Sequence, residues 1–383
     1  MSLGTLLAVA LLALPGGESR QDMAQAIAAV RATGPNGQGA AEAAKGWQML
    51  SRAEVNALPE LLQGMNGANP LAKNWLRSAI DAVREKARAE NKPLPIPALE
   101  AFLKDTANDP QARRFVYDLL AETEKGVPDR YLPTMLDDPS PDLRREAVAR
   151  VFDQAEKLFT AGKKDEAKPL YLKCFETARD QTQIVRAARK LRDLGEKPDL
   201  ATHLGMVMDW QLLGPFPNPD EKGLATVYPP EKEINPSAEY DGKGGKIRWQ
   251  KYVSNQELGM VNLKEALNQS SEVTAFALTE FTADKEQNVD IRLGCFTAFK
   301  LWVNGELVLE RGDAYTGMRL DHYLAKARLK AGKNTILVKS CLDAPPPQLP
   351  KVWQFQLRVC DANGVAILST TRPKVEIVEP KKP

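Results

Sequence analysis

The chain has 383 residues, 52 basic and 50 acidic, and a formal net charge of +2. This near-neutral balance lacks the basic surface that nucleic-acid binding requires, so nucleic acid is excluded as a partner. Four cysteines, none in a Cys-x-x-Cys pair, are too few for a disulfide scaffold, and two histidines, His203 and His322, disfavour histidine-rich metal sites. The length suggests two domains with ordinary globular composition.

The N-terminus carries an uninterrupted apolar run from Leu6 to Leu14, followed by Pro15-Gly16-Gly17. The run is too short to cross a bilayer, and its length is typical of the apolar region of a secretory signal peptide. No Lys or Arg precedes it, so a hydrophobic first helix or a truncated start stays open as an alternative. We expect residues 1–20 to be a signal peptide and the mature protein to be periplasmic or extracellular, without a transmembrane span.

Residues 21–205 are predicted to form an α-helical repeat domain, because alanine concentrates there and alanine is the strongest helix former. Leu76, Ala79, Ile80 and Val83 have the spacing of one buried helical face. Three helices are expected to begin at proline, where the preceding residue can cap the helix. These pairs are Asn69-Pro70, Asp109-Pro110 and Ser140-Pro141.

The segments that begin at these prolines also align with one another, at intervals typical of helical-pair repeats. The stretch from Asp138 to Ala147 resembles a HEAT repeat, and Gly162 to Cys174 resembles half of a tetratricopeptide unit. Stacked helix pairs build a continuous core and display a curved outer surface that commonly binds proteins. The resemblance therefore implies a protein partner for this domain.

Residues 206–372 are predicted to form an antiparallel β-sandwich, followed by a C-terminal tail, 373–383. Ile291, Leu293 and Cys295 alternate with less apolar residues, as in a strand with one buried face. Asn304-Gly305 predicts a type I′ hairpin, and the run Asp241 to Lys246 predicts a flexible hairpin turn rather than a phosphate-binding loop. The fold class is thus α-helical repeats followed by a jelly-roll β-sandwich.

Three strand segments, 299–308, 329–339 and 353–358, resemble the galactose-binding-like jelly-roll domains that accompany many secreted glycosidases. The segments LLGPF, YPPEKEI and GMRLDHY (residues 212–216, 228–234 and 317–323) look like those of secreted planctomycete proteins. The resemblance extends from about Met23 to Ile367 and implies an architecture, with glycan binding as one expectation. Such folds often hold a structural Ca²⁺, but no ligand set for it can be mapped onto this chain, so no cofactor is predicted.

The segment from Asp313 to Tyr323 is the first candidate binding site, because it combines aromatic faces with charged groups that can fix sugar hydroxyls. A loop of a sandwich is also where binding residues are commonly displayed. A structural corner held by Arg319 and Asp321 is the alternative. A second, weaker platform is predicted on one strand, and the candidate residues of both sites are Tyr315, Arg319, Asp321, His322 and Tyr323, with Trp249 and Tyr252.

No Gly-x-Ser-x-Gly elbow is present, and no catalytic residue can be assigned. Cys295, Cys341 and Cys360 fall in apolar strands as small hydrophobic residues, although one pair can form a disulfide in an oxidising compartment. We therefore expect a non-catalytic exported protein that contacts a protein through its repeats and a glycan or another envelope component through its sandwich. Two alternatives stay open: a carbohydrate-active hydrolase or accessory subunit with an unassigned acid pair, and a purely structural envelope unit.

Overall fold

The computed structural model describes residues 20–268, 271–312, 317–344 and 352–377. The described residues form two compact units that divide between Arg150 and Val151. Helices fill the chain from residue 20 to 204, and antiparallel sheets follow, which confirms the predicted order of α and then β structure. In the described part of the chain, no helix has both the length and the apolar character that a bilayer crossing requires.

The first unit consists of helices joined by short turns. Its helices are α1 (Arg20–Arg31), α2 (Ala40–Leu50), α3 (Leu58–Gln63), α4 (Pro70–Ala89), α5 (Ile96–Lys104), α6 (Pro110–Thr123), α7 (Val127–Tyr131) and the N-terminal part of α8 (Pro141–Thr160). Three of these helices, α4, α6 and α8, begin at the predicted prolines. The Asn69 side chain accepts a hydrogen bond from the amide of Ala72, and the Asp109 side chain accepts one from that of Ala112. Both caps satisfy donors that a helix N-terminus leaves unpaired.

Two ion pairs link successive proline-started helices of this unit. Lys73 and Arg113 each occupy the fourth position of their helix and bind an aspartate that lies before the next proline-started helix. Lys73 Nζ lies 2.6 Å from Asp109, and Arg113 lies 2.6 Å from Asp138 through Nη1 and Oδ1. Arg113 also donates from Nε to the carbonyl of Leu103, so all three of its guanidinium nitrogens are hydrogen-bonded. The fourth residue of α4 and that of α6 therefore make equivalent ion pairs.

The second unit begins within α8 and continues with helices and then strands. The helices are α9 (Lys164–Thr177), α10 (Gln181–Asp193), α11 (Leu200–Leu204), α12 (Pro229–Lys232) and α13 (Leu263–Ala266). The strands are β1 (Asp209–Pro217), β2 (Glu239–Gly242), β3 (Gly245–Arg248), β4 (Gln250–Val253), β5 (Val261–Asn262), β6 (Val273–Ala283), β7 (Gln287–Cys295), β8 (Ala298–Val303), β9 (Glu306–Arg311), β10 (Tyr323–Leu329), β11 (Gly332–Leu342) and β12 (Gln354–Cys360).

The strands form a six-stranded sheet in the order β4-β1-β6-β11-β8-β9, a four-stranded sheet in the order β10-β7-β12-β5, and the pair β2-β3. One buried cluster takes side chains from both larger sheets, including Leu212, Phe299 and Val338 from the first and Ile291 and Leu357 from the second. Alternating apolar side chains of the two sheets thus share a core, which is the sandwich that the period-2 patterns predict.

Both predicted hairpins are confirmed. Asn304 and Gly305 connect β8 to β9 with φ of 52° and 82°, the left-handed values of a type I′ turn. The glycine-rich run connects β2 to β3, with Gly242 paired to Gly245, so it is a hairpin turn and not a phosphate loop.

A buried lysine anchors a loop on the outer face of the six-stranded sheet. Lys339 is 0% exposed and donates to Glu231 at 2.7 Å, to the carbonyl of Thr226 at 2.7 Å and to that of Leu224 at 3.2 Å. Glu231 belongs to the YPPEKEI segment, and Lys339 is the last residue of the 329–339 segment that resembles jelly-roll domains. One structural ion pair therefore joins these two recognisable segments.

Candidate functional site

The candidate segment 313–323 is described from Gly317 onward, and Tyr315 lies outside the described residues. Residues 317–322 form the loop that leads into β10, at the edge of the four-stranded sheet. Arg319 is exposed, whereas Asp321, His322 and Tyr323 are partly buried. The four described residues therefore differ in their access to a ligand.

Asp321 holds this loop against the outer face of the four-stranded sheet. Its carboxylate accepts two hydrogen bonds from Arg358 of β12, at 2.6 Å from Nε and 2.5 Å from Nη2, and one from Arg292 of β7 at 3.3 Å. Arg358 is only 1% exposed, and it also donates to the carbonyl of Leu204. The alternative of a structural corner thus has Arg358, and not Arg319, as the partner of Asp321.

His322 and Tyr323 pack on each other and on the sandwich. Their rings are stacked with centroids 4.3 Å apart, and Tyr323 meets Phe299 edge to face at 4.9 Å. Tyr323 also packs against the shared core of the two sheets. One face of each ring is therefore occupied by another ring, which leaves less aromatic surface for a sugar than the sequence suggests.

Trp249 and Tyr252 contact different apolar clusters. Trp249 packs against the cluster on the outer face of the six-stranded sheet, which includes Leu213 and Phe276. Tyr252 packs against the core between the sheets, and its hydroxyl accepts a hydrogen bond from the amide of Asn262. Because side chains three positions apart along an extended segment point to opposite faces, the two rings do not form the common platform that their spacing suggested.

Arg319 lines a cavity of about 650 Å³ together with its neighbour Leu320, and we call this cavity the α10 groove. Its described lining has an aliphatic part, a cationic part and two polar residues, and it contains neither a carboxylate nor an aromatic ring. The lining residues are Gln181, Thr182, Val185, Arg186, Arg189, Lys190, Leu258, Arg319 and Leu320. The volume is that of a small-molecule or side-chain binding site.

One acid pairs with two of the four cations of the α10 groove. Glu156 of α8 lies 3.0 Å from Lys190 and 3.5 Å from Arg186. Burial alone would raise the pKa of Glu156, but hydrogen bonds from Lys190 and Tyr171, together with the charges of Lys190 and Arg186, outweigh it, so its pKa lies below the ordinary value. In the described part of the chain neither Arg189 nor Arg319 has an ion-pair partner, so the groove keeps a positive excess.

A larger cavity of about 1300 Å³ lies beside the C-terminal segment of the described chain. Acids and bases alternate around it, among them Arg192, Asp193, Glu196, Lys197 and Glu376. Arg192 is already paired with Glu257 there. This cavity therefore lacks the one-sided charge that distinguishes the α10 groove.

The cationic face of α10 is the part of the site that the sequence did not reveal. Arg186, Arg189 and Lys190 fall at the spacing of one helical face beside the exposed Val185. A surface helix with several arginines is common, so this pattern alone does not predict a site. What distinguishes it is that Arg319 and Leu258 line the same cavity as this helix face, which only the fold provides.

Within the described ranges no cluster of three or more His, Cys, Asp or Glu side chains is arranged to hold a metal ion. All four cysteines are free and buried, so the open question of a disulfide is answered in favour of thiols. Burial raises the pKa of Cys341 to about 11, which keeps this thiol protonated and unreactive at neutral pH.

No family model and no curated protein matches this chain. Among solved structures, it is similar to a β-glucosidase from Kluyveromyces marxianus (12% identity, 40% of this chain and 17% of that one, TM-score 0.26). It is also similar to an anti-sigma factor domain-containing protein from Clostridium clariflavum (12%, 46% and 49%, 0.26). A third neighbour is a GH2 β-galacturonidase from Eisenbergiella tayi (11%, 41% and 25%, 0.25). The chain spans less than half the length of these proteins, and at these scores the similarity carries no argument about function.

Proposed function

We propose that the protein is an exported, non-catalytic binding protein whose second unit holds an anionic group of another molecule in the α10 groove. The observation that carries the proposal is the charge of this cavity. Four cations line it, one neighbouring carboxylate neutralises part of their charge, and Arg189 and Arg319 have no acidic partner among the described residues. An anion that entered the groove would replace the missing counter-charges.

The lining favours binding over hydrolysis. Glycoside hydrolysis generally needs two carboxylic groups, one of them protonated to act as an acid. The described lining of the groove supplies none, and the neighbouring Glu156 has a lowered pKa, the opposite of what a general acid needs. The exposure of Arg319 also favours binding over a purely structural envelope unit, for which the candidate residues should all be buried.

A carbohydrate with acidic groups is a second candidate ligand. Arg319, one of the predicted glycan-binding residues, lines the groove, and Gln181 and Thr182 can bind hydroxyl groups there.

In the first unit, the HEAT-like repeats would contact a protein partner, and the repeated Lys73–Asp109 and Arg113–Asp138 pairs support a rigid stack for that purpose. The apolar N-terminal run supports the proposed export, which sequencing the N-terminus of the mature protein tests.

The proposed function is tested by binding to an array that carries neutral glycans, acidic glycans and acidic peptides. We expect binding to an anionic class, weakened by salt, and no turnover of any glycan. Arg189→Ala with Arg319→Ala should abolish it, whereas Arg248→Ala with Arg311→Ala, which removes two exposed arginines elsewhere in the same unit, should not. Binding that this pair of substitutions leaves unchanged, or hydrolysis of a bound glycan, would contradict the proposal.

A further inference from the structure

Three aliphatic residues, Val185, Leu258 and Leu320, line the α10 groove, and we call them its aliphatic floor. Val185 of α10 is 42% exposed, and Leu258 and Leu320 line the same cavity without being fully buried. Exposed aliphatic side chains that converge in one cavity are a surface that a partner's apolar group can cover favourably. The described lining offers no aromatic ring on which a sugar can stack. The floor therefore suits an aliphatic side chain better than a sugar ring.

Four cations from two elements line the same cavity. Arg186, Arg189 and Lys190 project from α10, and Arg319 lies on the loop before β10. Arg186 and Lys190 share Glu156, so the unsatisfied charge is concentrated on Arg189 and Arg319. A partner that places carboxylates beside an aliphatic side chain would match both parts of the groove.

One residue of the lining, Gln181, carries an acceptor that lacks a donor. The Oε1 atom of Gln181 is buried and has no hydrogen-bond partner within the described residues. A buried acceptor without a donor is costly, so a bound molecule that donates an N–H or O–H there gains affinity. A peptide backbone supplies such an N–H close to its own side chains.

We propose that the occupant of the α10 groove is a peptide segment of a partner protein that combines Asp or Glu with Leu, Ile or Val. This inference rests on the proposed function, because it names the class of molecule that the same groove binds. The acidic side chains pair with Arg189 and Arg319, the aliphatic side chain covers Val185, Leu258 and Leu320, and the backbone donates to Gln181.

Selection from a phage-displayed library of random twelve-residue peptides tests the inference, with the whole protein as bait and the Arg189→Ala/Arg319→Ala variant for counter-selection. Enriched peptides should combine acidic and aliphatic residues, and they should bind the wild type at least about tenfold more tightly than the variant. The Arg248→Ala/Arg311→Ala control should bind as the wild type does. Enrichment of neutral or basic peptides, or of none, would overturn the inference.

A second variant tests the aliphatic floor separately. Val185→Asn should weaken the selected peptides by about tenfold, since it places a polar amide on the apolar floor without changing the charge of the groove. Val227→Asn, at another exposed valine (58%), should leave binding unchanged. Equal effects of the two substitutions would contradict the role of the floor.

Trigalacturonate and its methyl ester, which keeps the sugar rings without the charges, separate the two levels of the proposal. If trigalacturonate binds in an Arg189- and Arg319-dependent manner and no peptide does, the peptide inference fails while the proposed function stands. If neither class binds, the proposed function fails as well.

Discussion

The second unit contains two groups of charged side chains that differ in how far their charges are balanced. Beneath the loop 317–322, Asp290 and Asp321 balance Arg292 and Arg358, and these groups bond one another. In the α10 groove, four cations have one carboxylate between them. Asp321 belongs to the first group and Arg319 to the second, although they are neighbours in one loop. Balanced, buried charge fixes the loop, and unbalanced, accessible charge is available to a partner.

The largest expected effect is on the balanced network. Arg358→Met should lower the free energy of unfolding by about 3–5 kcal/mol, because it leaves Asp321 without its bidentate partner. The urea-induced unfolding transition of the second unit measures this free energy. Arg328→Met, which breaks an exposed pair with Glu286, is the control and should cost less than about 1 kcal/mol. Equal costs for the two variants would remove the distinction between buried and exposed charge.

The Lys339–Glu231 anchor gives a double-substitution test of the same idea. Lys339→Met alone should cost about 3 kcal/mol because it leaves Glu231 buried without its cation. Lys339→Met combined with Glu231→Gln should recover a substantial part of that loss, because no buried charge then remains unpaired. Additive losses in the double variant would contradict this explanation.

A smaller effect is expected from pH. Burial, and to a lesser degree the charge of Arg179, lowers the pKa of His203, which packs on Phe175 at 4.4 Å. The unfolded chain therefore binds a proton more readily, and stability should fall as pH drops below about 6.5, by at most about 1.4 kcal/mol per pH unit. Denaturation between pH 5 and 8 measures this, and His203→Gln should flatten the slope. If the slope of stability against pH is unchanged in His203→Gln, other groups cause the pH dependence.

The smallest expected effect is on the groove itself. Arg189→Ala with Arg319→Ala should change the free energy of unfolding by no more than about 0.5 kcal/mol, since neither side chain has an ion-pair partner among the described residues. Thermal unfolding measures it beside the binding assay. A large loss of stability would mean that these arginines are part of the folded framework and not of a binding surface.

Local signals in the sequence predicted the fold well. Prolines at helix starts, alternating apolar residues and Asn304-Gly305 act through backbone geometry, so they have the same meaning in any context. Sequence also identified Arg319 and Asp321 as important, but it could not separate their roles. That distinction depends on Arg358, 37 positions further along the chain, which the sheet brings beneath the loop.

The groove could not be predicted, because it joins three segments that are distant in sequence: α10, Leu258 and the loop with Arg319. None of the three is unusual alone. Trp249 and Tyr252 illustrate the opposite error, since two aromatic residues close in sequence pack into separate clusters. Residues close in sequence could be placed correctly within one turn or along one strand. Their closeness did not show which face of a sheet, and therefore which apolar cluster, each side chain joins.

The measurement that tests the central claim most directly compares two charge reversals by fluorescence anisotropy, with a selected acidic peptide as the probe. Arg189→Glu with Arg319→Glu should weaken binding by about a hundredfold or more, because the groove then repels the partner's carboxylates. Arg248→Glu with Arg311→Glu makes the same change in net charge outside the groove and should alter affinity by less than about threefold, through long-range charge alone. Equal losses from the two reversals would show that net charge, and not the α10 groove, governs binding.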